Sequence, residues 1–421
     1  MGKSDHKTIA FLTLGCKLNY AETSTYERGF VQAGLEVVPW SRKADIYLVN
    51  TCSVTATSDA KSRNLVRKVL RINPSAIVVV TGCSAQLRRQ DYEGIPGVAR
   101  VFGCDEKASV VPETLKIAQE QCIPEYRKSG VFGAWSSGER TRSFLKVQDG
   151  CNNYCAYCTV PYARGESRNV PIAECVANAR AAAALGVKEI VLTGVNTGDF
   201  GRTTGETFLQ LLQALNGVEG IERYRISSIE PNLLTEEIID WIASGTKFQP
   251  HFHIPLQTGT DEMLRAMGRK YDTALFASRI DYIRKAMEAP GKPLVFFGID
   301  VMCGLPGETS GQFARTCEFL TGSVRPAFIH VFPYSRRPGT PAASMPGQVP
   351  EAVKKERVAA LEAICERLHA EFVEANRGVR EKVLWESSDR NGFMEGYTGN
   401  YIRIRRPYDP ALSGMITEVT I

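Results

Sequence analysis

The chain has no apolar run approaching the roughly 18 residues that a membrane-spanning helix needs, although 43% of its 421 residues are hydrophobic. Its first residues, Met1-Gly2-Lys3-Ser4-Asp5-His6-Lys7, are polar, and the short apolar stretch after them has no cleavage-site pattern. These absences argue against a membrane partner and predict a cytoplasmic protein. Zinc-type pairing is nearly missing too. Twelve cysteines form only one Cys-x-x-Cys unit, Cys155 with Cys158, whereas cytosolic zinc sites favour paired units. A reducing compartment excludes reading the twelve as disulfides. Neither sign of charge is in large excess. The formal net charge of +5 permits a nucleic-acid partner without requiring one. What remains is a chain long enough for two or three domains with sizeable cores.

What is present is a run of three cysteines, Gly150-Cys151-Asn152-Asn153-Tyr154-Cys155-Ala156-Tyr157-Cys158. Such spacing lets one loop wrap three thiolates around a metal centre. An iron–sulfur cluster is normally held by four thiolates, so three fit a cluster whose last iron binds something else. A redox pair, a structural zinc site with a distant fourth ligand and a chance grouping are the competing readings.

From Lys7 to about Ala108, strand-like and helix-like patterns alternate. Strands are expected at Thr8 to Leu14, Ile46 to Asn50 and Ile77 to Thr81, with helices at Ala21 to Ala33 and Ser58 to Ile72. Such alternation implies a parallel sheet with helices on its faces. Cys16, Cys52 and Cys83 each fall just past a strand, at the sheet edge where α/β proteins bind ligands. Three buried thiols would be the bland reading; three in the same topological place favour a second metal site. Cys104 follows another possible strand and is left out of that site.

Between about Arg142 and Tyr334, six strands are expected: Phe144 to Gln148, Glu189 to Thr193, Tyr224 to Ser227, His251 to Ile254, Val295 to Val301 and Phe328 to Phe332. They suit a partial or complete (β/α) barrel, with chemistry at the carboxyl ends of its strands. The cysteine loop follows the first of them. Cys122, Cys175, Cys303, Cys317 and Cys365 read as packing residues. Pro333 to Pro350 is too rich in proline for a regular element, and a long helix is expected from Glu351 to about Asn376. Val379 to Ile421 reads as a small β-barrel. In Tyr401-Ile402-Arg403-Ile404-Arg405 alternation turns Tyr401, Arg403 and Arg405 outward, a set that suits stacking on bases and neutralising phosphates. Arg63, Arg67 and Arg71 form a second basic stripe, more often plain solvated surface.

The cysteine run resembles the cluster motif of radical S-adenosylmethionine (SAM) enzymes, and the order of parts resembles the methylthiotransferases of that superfamily. The motifs are Leu14-Gly15-Cys16-Lys17-Leu18-Asn19, Asn50-Thr51-Cys52-Ser53-Val54-Thr55, Gly82-Cys83-Ser84-Ala85-Gln86, Gln148-Asp149-Gly150-Cys151 through Arg164-Gly165-Glu166-Ser167-Arg168, His253-Ile254-Pro255-Leu256-Gln257-Thr258-Gly259 and Gly304-Leu305-Pro306-Gly307-Glu308-Thr309. Gly396-Tyr397-Thr398-Gly399-Asn400-Tyr401 resembles part of the family's RNA-binding TRAM domain. Cys16-Lys17-Leu18-Asn19 looks like the branch acting on N(6)-threonylcarbamoyladenosine next to the tRNA anticodon.

The resemblance implies an α/β chain in three parts: a flavodoxin-like parallel-sheet domain at 1–140, a radical SAM (β/α) partial barrel at 141–375 and a TRAM-like β-barrel at 376–421. It implies two [4Fe-4S] clusters, one on Cys151, Cys155 and Cys158 with SAM on its open iron, and an auxiliary one on Cys16, Cys52 and Cys83. Reductive cleavage of SAM would give a 5′-deoxyadenosyl radical that takes hydrogen from carbon 2 of the adenine. The auxiliary cluster would carry the sulfur, and a second SAM would give the methyl group. Tyr157, Gly194, Asn196, Ser228, Glu230, His253 and Gln257 are expected at the SAM pocket, and Tyr401, Arg403 and Arg405 on tRNA. The expected partners are a tRNA anticodon stem-loop, an electron donor protein and a sulfur source. Alternatives are isopentenyladenosine in tRNA, a ribosomal protein aspartate, or a non-catalytic iron–sulfur RNA-binding redox sensor.

Overall fold

The computed structural model describes residues 7–119, 131–137 and 141–421. Cys122 and residues 1–6 of the polar start lie outside the described residues. The amino-terminal part is one parallel sheet of β1 (Thr8–Thr13), β2 (Glu36–Val37), β3 (Ile46–Thr51), β4 (Ile77–Gly82) and β5 (Val98–Val101), in the order β2-β1-β3-β4-β5. Every residue of β3 is buried, as a central strand covered on both faces requires. Helix Ala56–Ile72 sets Val66 and Val69 against one face; helix Lys17–Gln32 sets Tyr26 and Phe30 against the other. The strand order reverses between β1 and β3. This is the doubly wound 2-1-3-4-5 order of flavodoxin-like sheets, whose ligand crevice lies at that reversal. Helix Lys17–Gln32 begins four residues before the apolar spacing predicts. Leu18 and Asn19 are already buried there, and the Asn19 amide donates to the carbonyls of Leu14 (2.7 Å) and Thr51 (3.0 Å).

The central part opens with β6 (Ala134–Trp135), antiparallel to β7 (Arg142–Lys146). Next come β8 (Gln148–Asp149) and β9 (Arg168–Asn169), which pair with each other and close the base of the cysteine loop. β10 (Glu189–Thr193) and β11 (Arg223–Ile226) extend a parallel sheet from β7. A bridge between Tyr224 and Phe248 leads to β12 (His251–Gln257), β13 (Phe296–Cys303) and β14 (Phe328–Pro333), again parallel. All six expected barrel strands are there. Helices lie outside them, and two of these, Phe208–Asn216 and Ser310–Phe319, start with reciprocal capping boxes at Thr207 and Thr309. Cys175, Cys303 and Cys365 are buried in the barrel's core and Cys317 packs against it. The proline-rich segment holds one short helix that its composition hid, Pro341–Ser344. Its first residue is a proline, whose fixed φ suits a helix start.

Helix Glu351–Ala375 leads to the last part, a curled antiparallel sheet of β15 (Arg380–Trp385), β16 (Phe393–Thr398), β17 (Arg403–Pro407) and β18 (Ile416–Thr420), ordered β17-β16-β15-β18. Val383, Trp385 and Met394 fill it. The strand expected from Tyr401 starts only at Arg403. Tyr401 has a φ of +65°, so its ring turns away from the face shared by Arg403 and Arg405. It packs against His251 (4.9 Å between centroids), Tyr397 (4.9 Å) and Phe296 (5.7 Å). No helix among the described residues is long and apolar enough to cross a membrane.

Candidate functional site

The cysteine loop leaves the barrel where β7 runs into β8. Gly150 has a φ of +73°, and a Cβ there would lie 1.9 Å from the Glu166 carbonyl oxygen. Only glycine lets the loop close this tightly. All three sulfurs accept hydrogen bonds, Cys151 from Asn153 N–H (3.5 Å), Cys158 from Val160 N–H (3.4 Å) and Cys155 from Arg269 Nη1 (3.1 Å). Burial pushes the Cys151 thiol up to about 11 and the Cys158 thiol up to about 12. A metal must therefore expel their protons, and the donors present then stabilise the thiolates. This donor set fits an iron–sulfur cluster.

The residues expected near SAM fall into two places. Gln148 joins the loop to β10: it donates to the Gly150 carbonyl (2.7 Å) and accepts from Val195 N–H (2.9 Å) and Asn196 N–H (3.0 Å). Gly194 lies against it, a Cβ there standing 2.9 Å from Gln148 Oε1. Ser228 accepts from Thr197 N–H (3.0 Å), and Glu230 N–H reaches Asn196 Oδ1 (3.5 Å). Arg269 gathers the rest. It pairs with Glu230 (2.6 Å) and donates to the hydroxyls of Tyr157 (3.3 Å) and Tyr271 (2.8 Å) as well as to Cys155. Gln257 ends β12 with a φ of +73°, a conformation a non-glycine residue keeps only when its surroundings impose it. Its neighbour Leu256 accepts from Tyr271 through its carbonyl (3.3 Å). His253 is elsewhere. Its Nε2 meets Asp300 (2.8 Å) and its ring stacks on His330 (4.9 Å).

The second set of cysteines meets at the reversal point of the first sheet. A Cβ on Gly15 would lie 3.0 Å from Cys52 Sγ, so the glycine lets the loop of Cys16 approach Cys52. Arg164, from the barrel, donates through Nε to Cys83 Sγ (3.1 Å). The Cys104 thiol also donates to Cys83, and with Arg164 it brings that thiol down to about 6. Cys104, set aside on its sequence position, is thus buried beside the site. Burial pushes Cys52 up to about 11.

Under these thiols lies a buried charge network that sequence reasoning missed. Arg164 Nη1 meets Asp149 (2.9 Å) and Glu22 (3.3 Å), and its Nη2 donates to Asn19 Oδ1 (2.7 Å). Lys107 and Lys146 pair with the same two carboxylates at 2.6 to 2.9 Å. Burial alone would raise the Glu22 carboxyl; Lys107, Lys146 and Arg164 hold it at about 2. Three buried cations, with the half-buried Arg168 3.8 Å from Asp149, face two carboxylates, and Arg164 turns the surplus positive charge toward Cys83. The only sequence signal was that Arg164 and Asp149 lie within the motif around the cysteine loop.

All three parts of the chain line one cavity of about 970 Å³, within the range of small-molecule and cofactor sites. The first sheet contributes Gly15, Cys16, Lys17 and Tyr20; the barrel contributes Phe144, Arg225, His253 and His330 among others; the last part contributes Tyr397, Tyr401 and Arg403. Of the residues expected on tRNA, Tyr401 and Arg403 therefore border the cavity. Arg405 lies over the Phe393 ring (3.9 Å) on the outer face. Arg67 and Arg71 are exposed on their helix, and Arg63 pairs with Asp91 (3.6 Å).

Residues 145–320 match the radical SAM superfamily model, and residues 8–103 match the uncharacterized protein family UPF0004. The barrel and its cysteine loop make this a radical SAM enzyme, a class that implies SAM and a [4Fe-4S] cluster. The chain is 38% identical to the threonylcarbamoyladenosine tRNA methylthiotransferase MtaB of Bacillus subtilis, over 98% of this chain and 93% of that one. It is 36% identical to the enzyme of that name from Aquifex aeolicus, over 94% and 96%. It is 30% identical to the tRNA-2-methylthio-N(6)-dimethylallyladenosine synthase of Nitratidesulfovibrio vulgaris, over 99% and 96%. The chain belongs to the radical SAM methylthiotransferase family. Its fold is also that of the radical SAM methyltransferase TsrM from Kitasatospora setae (TM-score 0.58, 16% identity, 80% of this chain and 77% of that one).

Proposed function

We propose that this enzyme places a methylthio group on carbon 2 of N(6)-threonylcarbamoyladenosine in the anticodon loop of tRNA. The observation that carries the reading is Arg164, which touches Cys83 of one thiol set and Asp149 at the root of the other. A radical SAM enzyme that only removed hydrogen would need no second set. In this reading Cys151, Cys155 and Cys158 hold one [4Fe-4S] cluster and Cys16, Cys52 and Cys83 a second. A cluster on Cys151, Cys155 and Cys158 would supply the electron that cleaves the sulfonium of SAM. Arg269 fixes Glu230 and Tyr157 beside that SAM site, and Gln148 holds Gly194 and Asn196 against the loop. Arg164 stabilises the sulfur side by neutralising Cys83. The electron comes from a donor protein and the sulfur from an external source, and the tRNA substrate puts the reaction in the cytoplasm. Tyr401, Arg403 and Arg405 contact the RNA.

The test is mass spectrometry of nucleosides from tRNA incubated with anaerobically reconstituted protein, SAM, sulfide and a reductant. Methylthio product on threonylcarbamoyladenosine, and none on isopentenyladenosine, is the expected result. Product on isopentenyladenosine alone would overturn the substrate assignment. The RNA face makes its own prediction. Arg403 and Arg405 are exposed, and replacing both with alanine is expected to weaken tRNA binding. It should also flatten the log–log salt dependence by about 0.7 to 0.9 per lost phosphate contact. An unchanged slope would remove both residues from the interface.

A further inference from the structure

Among the described residues, one cation in the cavity has no neutralising partner. Arg225 is committed to Glu189 (2.7 Å) and to the carbonyls of Thr398 (2.8 Å) and Gly399 (2.7 Å). Arg142 is committed to Glu386 and to the Tyr401 hydroxyl, both at 2.8 Å. The Lys17 side chain makes no hydrogen bond or ion pair among the described residues. The carboxylate that acts on it, Asp300, is held by His253 at 2.8 Å and stays beyond ion-pair distance. Lys17 also opens helix Lys17–Gln32, whose first turn has neither an acidic residue nor a side-chain cap, so the helix end adds partial positive charge. The Lys17 side chain is exposed where the cavity opens, so an anion carried in by the ligand can reach it.

Resting on the substrate reading above, we propose that Lys17 binds the carboxylate of the threonylcarbamoyl group. In that group the threonine amine is used in the carbamoyl linkage and its α-carboxylate is free; an isopentenyl group has no charge to offer. Lys17 directly follows Cys16, so an adenine anchored there lies beside the second thiol set. His251, Phe296, Tyr397 and Tyr401 line the same wall and give the purine an aromatic surface to lie against. A backbone phosphate is the other source of an anion. Phosphates are better met by Arg390 and Arg403, which are exposed where the last part of the chain borders the cavity.

The experiment measures binding of anticodon stem-loop RNAs to the full chain by fluorescence anisotropy, with the base carrying threonylcarbamoyl, its methyl ester or isopentenyl. The unaltered protein is expected to bind the acid about 10- to 100-fold more tightly than the ester, the range of a hydrogen bond to a charged group. Lys17→Gln is expected to bind acid and ester alike. Equal binding of acid and ester by the unaltered protein overturns the proposal without any variant. An equal loss for acid and ester in Lys17→Gln also overturns it, in favour of a phosphate contact. If the unaltered enzyme methylthiolates the isopentenyl stem-loop and not the threonylcarbamoyl one, the substrate reading fails. If it methylthiolates the acid but does not distinguish acid from ester in binding, only the role of Lys17 fails.

Discussion

Replacing Cys52 with alanine is expected to abolish methylthio transfer and to leave the release of 5′-deoxyadenosine from SAM nearly intact. The side chain sits directly after β3, where the strand order of the first sheet reverses, and it is buried against Gly15. Alanine fits that space, so the sheet survives while one of three thiolates is lost. Two thiolates do not hold a cluster that normally takes four ligands. The other set has its own supports. The hydrogen bonds to Cys151, Cys155 and Cys158 come from the loop's own backbone and from Arg269 of the barrel, none from the first sheet. Product should therefore fall by more than about 100-fold, beyond the 10- to 100-fold typical of outer-shell changes, with deoxyadenosine release within about two-fold. Cys155→Ala should remove both activities. Loss of both in Cys52→Ala would mean that the two thiol sets act as one unit.

What the sequence made legible was local. A run as apolar as Ile46–Val49 followed by Asn50-Thr51-Cys52 already says buried strand, then strand end, then ligand. The same pattern around Cys16 and Cys83 was enough to group three cysteines across distant stretches of chain. The barrel strands were legible for the same reason. What was not legible depends on contacts between distant segments. Arg164 and Arg269 look like ordinary surface arginines until folding sets one on Cys83 and the other on Cys155. His253 follows its neighbours along β12, yet β13 and β14 supply the Asp300 and His330 that define its surroundings. Tyr401 reads as part of an alternating strand, and only the turn that closes Thr398 to Tyr401 imposes the positive φ that sends its ring toward the barrel. Cys104 lacked a family motif, and its place beside Cys83 follows from where β5 ends.

Arg164 carries the second large effect. It is buried between the first sheet and the barrel and has four partners: Cys83, Asp149, Glu22 and Asn19. Removing one member of a buried ionic network costs about 3–5 kcal/mol when it strands a charge. Here Lys107 and Lys146 remain on Glu22 and Asp149, with Arg168 3.8 Å from Asp149, so both carboxylates keep cationic partners. The stranded group is therefore the Cys83 sulfur, which loses its one guanidinium. Arg164→Met keeps the length and apolar stem of the side chain, so the fold is expected to hold at reduced thermal stability. Iron and sulfide per chain should drop by about half, leaving the signal of the barrel cluster. Methylthio transfer should fall on the order of 10- to 100-fold, as for other groups that support metal ligands. Arg164→Lys restores the charge but not the planar fork that reaches several partners at once, so it should recover stability more than transfer. Full iron content and normal transfer in Arg164→Met would show that the second thiol set does not depend on the charge beneath it. The network would then serve only to join the two domains.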